Sequence, residues 1–395
     1  MDIVVIRNLN SDKCERINDT TLQVINYEED SFAGFSEYRM YVYDYKKNYK
    51  IDVAVEIPKL DIADIEYAKK DRDYIVYTNA VNIGYNRFLI YFYSYNYLDD
   101  SNRIIAEYNL DIQKADGRIK AFVLDENNIL IQEKTFDEEK PYELCIYRQL
   151  LDKPISVDID VLSTYGIEKI ISYHGNNCAI QIGSDYSPVT YIGTILINKF
   201  ISEISVNIGT DLYNSIEQST DDTYITNLGV SGKYIYYMKV NAEDESEQVI
   251  VYDSESNSKR IRINYNINEK SRIEKIFLVG GEPIVITNAN GEYKIVNLGT
   301  QSELMELKKG DEVLYIDDTF IVMNEYVRKF FWQKYTEMVT VYRYPGIYED
   351  DKRILMENRR FFNYIQNSDE LLILLEEERD GELKRTEEES EKTGK

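Results

Sequence analysis

The sequence predicts an all-β fold in which one short unit of strands repeats along the chain. The period is about 48 residues, and its clearest pair is Ile-Glu-Lys-Ile-Ile at 167–171 and Ile-Glu-Lys-Ile-Phe at 273–277. Strand-like segments come in groups of four, separated by polar or glycine-bearing turns. Helical periodicity is nowhere sustained. Four-stranded units at this period, without helices between them, predict the blades of a single β-propeller.

Complete units can be placed in order along the chain, and each repeats the same pattern of strand and turn. In the second unit, strands are predicted at 62–68, 73–78, 87–95 and 102–109. Helical turns are predicted only within 211–221 and 325–335. The units start at Thr21, Ile62, Arg118, Tyr165, Thr223, Ser271 and Glu312.

The two ends of the chain read as half-units. Strands are predicted at 361–366 and 369–376, and two more at 2–8 and 14–18. Pairing residues 2–18 with 359–376 would complete one further blade and remove two open sheet edges. We therefore predict eight blades within residues 1–380, with seven as the alternative because the unit at 21–57 is poorly marked. Residues 381–395 are highly charged and predict a disordered tail.

The third predicted strand of several units ends in an apolar residue, a tyrosine and a polar residue. Examples are Val42-Tyr43-Asp44, Ile146-Tyr147-Arg148, Val251-Tyr252-Asp253 and Val341-Tyr342-Arg343. This ending resembles the Val-Trp-Asp ending in blades of WD40 proteins, with tyrosine in place of tryptophan. The resemblance implies a WD40-like layout at the level of the repeat and identifies no specific family.

The chain is strongly acidic and rich in tyrosine. Its 71 Asp and Glu residues outnumber 46 Lys and Arg residues, which gives a formal charge of −25, and it has 36 tyrosines. A negative field repels phosphate backbones and anionic lipids, so we expect neither nucleic acid nor a membrane surface as a partner. A protein partner with basic groups is the expected partner.

The sequence predicts a reduced, cytoplasmic protein. Cys14, Cys145 and Cys178 are odd in number and far apart, so no disulfide framework follows. The first residues lack the pattern of a signal peptide, and no apolar run is long enough to span a membrane.

Motifs for chemistry are weak. No phosphate-binding loop, catalytic triad or zinc motif is present, and His174 and Cys178 alone fall short of a metal site. We predict no metal, no cofactor and no identifiable catalytic residue.

One segment, residues 328–335, departs from the acidic composition, and it supplies a candidate binding face. It falls between the second and third predicted strands of its unit, where exposed aromatic and basic residues are typical of an interface. The alternative is that its rings pack on a neighbouring blade. Loops at this position would share one face with the acidic residues Asp137, Glu138, Glu243 and Asp244. The segment contributes Arg328, Lys329, Phe331, Trp332 (the only tryptophan), Lys334 and Tyr335.

The sequence therefore favours a non-catalytic binding or scaffolding module that presents an acidic, loop-decorated face to a protein or a small ligand. This inference depends on analogy between folds. The alternative is a hydrolase or lyase that acts on glycans or peptides through carboxylate and tyrosine side chains at the mouth of the channel. Acids with raised pKa clustered there would favour the enzyme, whereas an exposed aromatic patch beside solvated acids would favour the binding module.

Overall fold

A computed structural model of the 395-residue chain describes most of the repeat region. The described residues are 2–7, 13–29, 36–53, 57–58, 63–69, 71–113, 115–149, 153–185, 187, 189–206, 212–265, 271–308, 310–327, 336–343, 353–357, 361–366 and 370–375. The tail predicted at 381–395 lies outside them.

The chain folds as an all-β propeller with seven blades, each a meander of consecutive antiparallel strands. Blade 1 contains β2 (Lys13–Arg16), β3 (Thr21–Glu29), β4 (Ser36–Asp44) and β5 (Tyr49–Asp52), and β6 (Ile57–Pro58) pairs with β4. Blade 2 contains β8 (Tyr74–Gly84), β9 (Arg87–Asn96) and β10 (Ser101–Asp111). Blade 3 contains β11 (Ala115–Asp125), β12 (Asn128–Thr135), β13 (Tyr142–Arg148) and β14 (Ile155–Val157). Blade 4 contains β15 (Ile167–His174), β16 (Asn177–Ile182), β17 (Tyr191–Leu196) and β18 (Asn214–Gln218).

The last three blades follow the same plan. Blade 5 contains β19 (Thr223–Ser231), β20 (Tyr234–Asn241), β21 (Glu247–Asp253) and β22 (Ser258–Tyr265). Blade 6 contains β23 (Ser271–Val279), β24 (Glu282–Ala289), β25 (Glu292–Asn297) and β26 (Ser302–Leu307). Blade 7 contains β27 (Glu312–Ile316), β28 (Phe320–Val327), β29 (Thr336–Arg343) and β30 (Arg353–Glu357).

The prediction of eight blades is wrong, because the strand that contains Cys14 pairs with β3 and not with the C-terminal strands. β1 (Asp2–Arg7) pairs in parallel with β32 (Glu370–Leu375), and β32 pairs with β31 (Phe361–Gln366). β2, however, pairs with β3 and begins blade 1. The sheet formed by the two chain ends therefore has three strands among the described residues, and no complete eighth blade forms.

A second departure concerns the strand predicted at 62–68. β7 (Ala63–Tyr67) pairs in parallel with β11 of blade 3 instead of joining blade 2. The free edge of β8 is capped by a side chain: the Tyr67 hydroxyl accepts from the Val76 amide at 2.7 Å and donates to the Val76 carbonyl at 3.0 Å. One tyrosine thus satisfies backbone groups that a neighbouring strand would otherwise pair.

Helices occur where the sequence pattern did not predict them. They are α1 (Asp160–Tyr165) and α2 (Ile197–Ile204), whereas residues 214–218 form strand β18. α2 buries Ile197, Phe200, Ile201 and Ile204, which lie on one face at helical spacing. Eight residues are too few for that spacing to stand out from a buried strand. No helix in the described part of the chain is long and apolar enough to cross a membrane.

The repeated tyrosine ending has a structural cause in the turn between the third and fourth strands. In blade 5 the Tyr252 hydroxyl donates across the turn to the Asn257 side chain, and Asn257 adopts a left-handed conformation with φ 51°. The buried Asp253 carboxylate accepts from the turn amides of Glu255 at 3.0 Å and Ser256 at 3.3 Å. Asparagine and aspartate tolerate this conformation better than most residues. In blade 5 the ending is therefore a turn signal, whereas in blade 7 the Tyr342 hydroxyl donates to the Glu325 carboxylate at 2.6 Å.

Blade 1 repeats the arrangement. The Tyr43 hydroxyl donates to the Asn48 side chain at 2.9 Å, and the Asp44 carboxylate accepts from the amides of Lys46 at 3.1 Å and Lys47 at 3.0 Å. Asn48 has φ 51°. The two endings thus stabilise equivalent turns.

We expect Tyr252→Phe to lower the free energy of unfolding by about 1 kcal/mol, the usual net contribution of one hydrogen bond. Tyr43→Phe should have a similar effect through Asn48. Tyr85→Phe is the control, because Tyr85 is exposed on a different turn. Denaturant titration of the three variants measures the difference. Equal stability of all three would show that the hydroxyls do not hold the turns.

Candidate functional site

The predicted acidic residues lie on turns at one end of the blades. Asp137 and Glu138 lie between β12 and β13, and Glu243 and Asp244 lie between β20 and β21. All four side chains are exposed. Each turn joins the second and third strands of its blade, so both lie on the face where one blade connects to the next.

Hydrogen bonds within these turns fix two of the carboxylates and keep them ionised. Asp137 accepts from the amides of Glu139 at 2.9 Å and Lys140 at 3.2 Å, and these bonds lower its pKa. Asp244 accepts from the Ser246 side chain and from its amide at 3.0 Å, and its pKa is lowered for that reason. The negative charge of these turns therefore persists well below neutral pH.

Six of the predicted site residues lie outside the described residues. They are Arg328, Lys329, Phe331, Trp332, Lys334 and Tyr335, in the connection between β28 and β29. The role of this segment as a binding face stays a prediction.

The structure adds exposed apolar residues that the sequence analysis missed. The hairpin of β8 and β9 presents Val81, Ile83 and Tyr85 to solvent, with 52% of Ile83 and 85% of Tyr85 exposed. In blade 3, Phe136 is 67% exposed and directly precedes Asp137. Exposed aromatic and aliphatic side chains grouped on one face mark interaction surfaces.

Strand pairing brings the hairpin and the Phe136 turn to the same face. Arg87, just after the hairpin turn, pairs with Asp111 at the end of β10, and the Ile112 amide donates to the Asn86 carbonyl at 2.9 Å. The chain then enters β11, where Ala115 pairs with Thr135, the residue before Phe136. Only the short link between β10 and β11 separates the two turns. We call Val81, Ile83, Tyr85, Phe136, Asp137 and Glu138 the hairpin–turn surface.

The inner strands contain a different charged cluster, in which burial raises the pKa of Glu66 on β7. Lys120 on β11 lies 3.0 Å from the Glu66 carboxylate and 3.7 Å from that of Glu168 on β15. The Lys120 ammonium also donates to the Glu168 carbonyl at 2.5 Å. The lysine thus joins three strands at the centre of the ring.

Glu247 is a second carboxyl group whose pKa burial raises. It accepts from the Ile273 amide at 2.7 Å, between blades 5 and 6. Glu66 and Glu247 are therefore held by separate partners.

The positions of His174 and Cys178 do not support a metal site formed by these two residues. His174 is exposed at the end of β15, whereas Cys178 is buried and its thiol contacts the Ala68 carbonyl at 3.4 Å. Within the described ranges, no group of three or more His, Cys, Asp or Glu residues is arranged to hold a metal ion. All three cysteines are free, and burial raises the pKa of Cys14 and of Cys178 to about 12.

Known proteins resemble the chain only in overall architecture. No family model and no curated protein matches it. The β-propeller domain of the Trilobed protease from Pyrococcus furiosus aligns at 10% identity and TM-score 0.43, over 88% of this chain and 97% of that domain. Prolyl oligopeptidase B from Galerina marginata aligns at 11% identity and TM-score 0.44, over 90% of this chain and 55% of that one. Similarities of this size carry no functional inference.

Proposed function

We propose that the protein is a non-catalytic binding module that docks a protein partner on the hairpin–turn surface. The observation that carries the proposal is the exposure of Tyr85, Ile83 and Phe136 on the face that also carries the ionised carboxylate of Asp137. A partner segment with apolar and basic side chains complements such a surface, since aromatic anchors supply affinity and opposite charges steer association. The chain charge of −25 adds a long-range attraction for basic partners.

The enzyme alternative has one observation in its favour, the raised pKa of Glu66 near the centre of the ring. A structural role accounts for the same observation. Glu66 compensates the charge of Lys120, which is itself anchored on the backbone of β15. We therefore propose that this cluster stabilises the packing of the inner strands. For that reason we favour the binding module over the enzyme. Three free thiols suit a cytoplasmic location, which we also propose.

The decisive test compares a surface variant with a control that also removes one exposed apolar side chain and one turn carboxylate, but at the opposite end of blade 2. The surface variant is Tyr85→Ala with Asp137→Asn. The control is Leu98→Ala with Asp99→Asn, because Leu98 is 70% exposed and the Asp99 carboxylate also accepts from its own turn, at 3.0 Å from the Ser101 amide. This control lies on the turn between β9 and β10, at the opposite end of the blade.

Tagged wild-type protein and both variants are used to recover partners from an extract of the source cells. We expect wild type and control to retain the same protein, and the surface variant to bind it about 30-fold more weakly, as loss of a hot spot of about 2 kcal/mol implies. Raised salt should slow association. Equal recovery by the surface variant and the control would contradict the proposal. Trp332→Ala, measured alongside, tests the separate prediction that the segment at 328–335 belongs to a binding face.

A further inference from the structure

Blade 2 presents part of one sheet face to solvent. Its strands are β8, β9 and β10, and side chains directly opposite one another on neighbouring strands lie on the same face of a sheet. Near the hairpin turn, one face carries two rows of residues, Val81–Leu89–Asn109 and Asn79–Tyr91–Glu107. We call these six residues the open sheet face. None of the six is buried, and Val81, Glu107 and Asn109 are exposed.

The rest of this three-stranded sheet is covered by its neighbours. On the opposite face, Phe88 and Leu110 pack in an apolar cluster with residues of β11 and β12 in blade 3. Farther from the turn, the face that carries Val81 is covered as well, because Tyr77 packs with Met40 of blade 1. Along β8 the exposed fraction on this face rises from 1% at Tyr77 to 47% at Val81. Blade 1 therefore covers only the part of the face that lies away from the turn.

The apolar residues of the open sheet face lie together. Val81 and Leu89 are directly opposite one another, and Tyr91 is the next residue on this face of β9. Ile83, two residues beyond Val81, extends them toward the turn and is exposed. We call Val81, Ile83, Leu89 and Tyr91 the apolar strip. The solvated face of an antiparallel sheet is normally polar, so a contiguous apolar strip there is typical of an interaction surface.

The polar residues beside the apolar strip carry a net negative charge. Glu107 is exposed and forms no ion pair within the part of the chain that the structure describes. Arg87, at the end of β9 beyond Leu89, is paired with Asp111 at 3.3 Å. One negative charge therefore remains among these three groups. Because the chain has a formal charge of −25, a second copy would be repelled, whereas a basic segment would be attracted.

The width of the open sheet face favours a helix as its occupant. Sheet faces are buried by helices or by other sheets. Three strands about 4.8 Å apart make a face about 10 Å wide, which matches the diameter of one helix. We propose that the open sheet face binds an amphipathic, basic helix of the protein partner. The apolar side of this helix packs on the apolar strip, and its lysine or arginine side chains pair with Glu107. This inference rests on the proposed function and names the element of the partner that docks.

The probe is a synthetic peptide of about 14 residues with leucine on one helical face and lysine on the other. A scrambled peptide of the same composition keeps the charge and loses the apolar side. A third peptide, with glutamate in place of lysine, keeps the apolar side and reverses the charge. We expect the wild-type chain to bind the lysine peptide at least about tenfold more tightly than either control peptide. Fluorescence anisotropy measures the affinities, and circular dichroism shows whether the bound peptide is helical.

Val81→Ser with Ile83→Ser should lower the affinity for the lysine peptide to that for the scrambled peptide, because both substitutions remove part of the apolar strip. Leu98→Ser with Leu196→Ser is the matched control, since it removes two exposed apolar side chains elsewhere. This control should bind as the wild type does. All four side chains are exposed, so we expect both variants to fold, and thermal melting checks this.

Glu107→Gln tests the charge of the open sheet face. It should weaken binding of the lysine peptide about twofold to fivefold, as the loss of one exposed ion pair implies. It should also strengthen binding of the glutamate peptide. Glu306→Gln, which removes an exposed carboxylate from blade 6, should change neither affinity.

Recovery of the natural partner separates this inference from the proposed function. Val81→Ser with Ile83→Ser should lose the partner, and the lysine peptide should compete with it. If Tyr85→Ala with Asp137→Asn loses the partner while the Val81 and Ile83 variant retains it, the proposed function stands and the helix site is wrong. Equal binding of the lysine and scrambled peptides by the wild type, or equal binding of the lysine peptide by the strip variant and its control, would also overturn the inference.

Discussion

Deletion of residues 1–18 should leave a chain that does not fold to a stable, soluble state. The deletion removes β1, whose six residues pair with β32, and β2, which pairs with β3. It thereby exposes two strand edges, which promote aggregation. It also removes Ile17, a fully buried residue that packs with Met40, Tyr77 and Tyr95 between blades 1 and 2. These losses together should exceed the 5–15 kcal/mol that typically stabilise a folded domain.

Solubility on expression and cooperativity of thermal unfolding measure this effect. Deletion of 386–395 is the control, since the composition of that segment predicts no buried surface. Ile17→Ala provides a graded version, with an expected loss of about 3 kcal/mol from removing buried methyl groups. An N-terminal deletion that stays soluble and melts with the wild type would show that the ring closes without these strands.

Local signals in the sequence were sufficient for the repeat and for its turns. The ending Val-Tyr-Asp at 251–253 marks a turn because its tyrosine and aspartate bond within five residues of chain. The partners of β2 and β7 could not be predicted in this way. β2 could pair with the C-terminal strands or with β3, and β7 with β8 or with β11, and the alternation of side chains is the same in either case. Long-range packing decides between such pairings.

In the candidate site, too, local sequence signals predicted some features, and the features set by long-range packing were missed. The acidic turns are visible in the sequence, because charged turn residues interrupt the apolar alternation, and in the structure those of Asp137 and Glu243 lie between second and third strands. The exposure of Ile83 and Tyr85 was missed, since Val81-Asn82-Ile83 alternates as a half-buried strand does. Whether the apolar face of such a strand is covered depends on how far it extends past its neighbours. The bulges in β15 and β23 were not predicted either, because only the pairing of neighbouring strands reveals them.

Gly183→Ala should be among the most destabilising single substitutions in blade 4. Gly183 follows β16 with φ +85°, a conformation that costs energy for any residue with a Cβ atom. A Cβ atom there would lie 2.4 Å from the Val189 carbonyl oxygen. Since that oxygen belongs to the backbone, no side-chain rotation relieves the clash. The Gly183 amide also donates to the Gly166 carbonyl at 2.9 Å, which limits movement of the turn. Strain and steric overlap together should cost about 4 kcal/mol.

Gly175→Ala separates the two causes. Gly175 has φ +55°, but a Cβ atom there would meet no atom within 4 Å. Gly175→Ala should therefore lower the free energy of unfolding only by the cost of the left-handed conformation, about 1–2 kcal/mol. Denaturant titration of both variants gives the difference directly, and a larger loss for Gly183→Ala assigns the excess to the Val189 carbonyl. Equal losses would mean that the 183–190 connection moves away at little cost, and that the backbone of blade 4 is less rigid than the contact with Val189 implies.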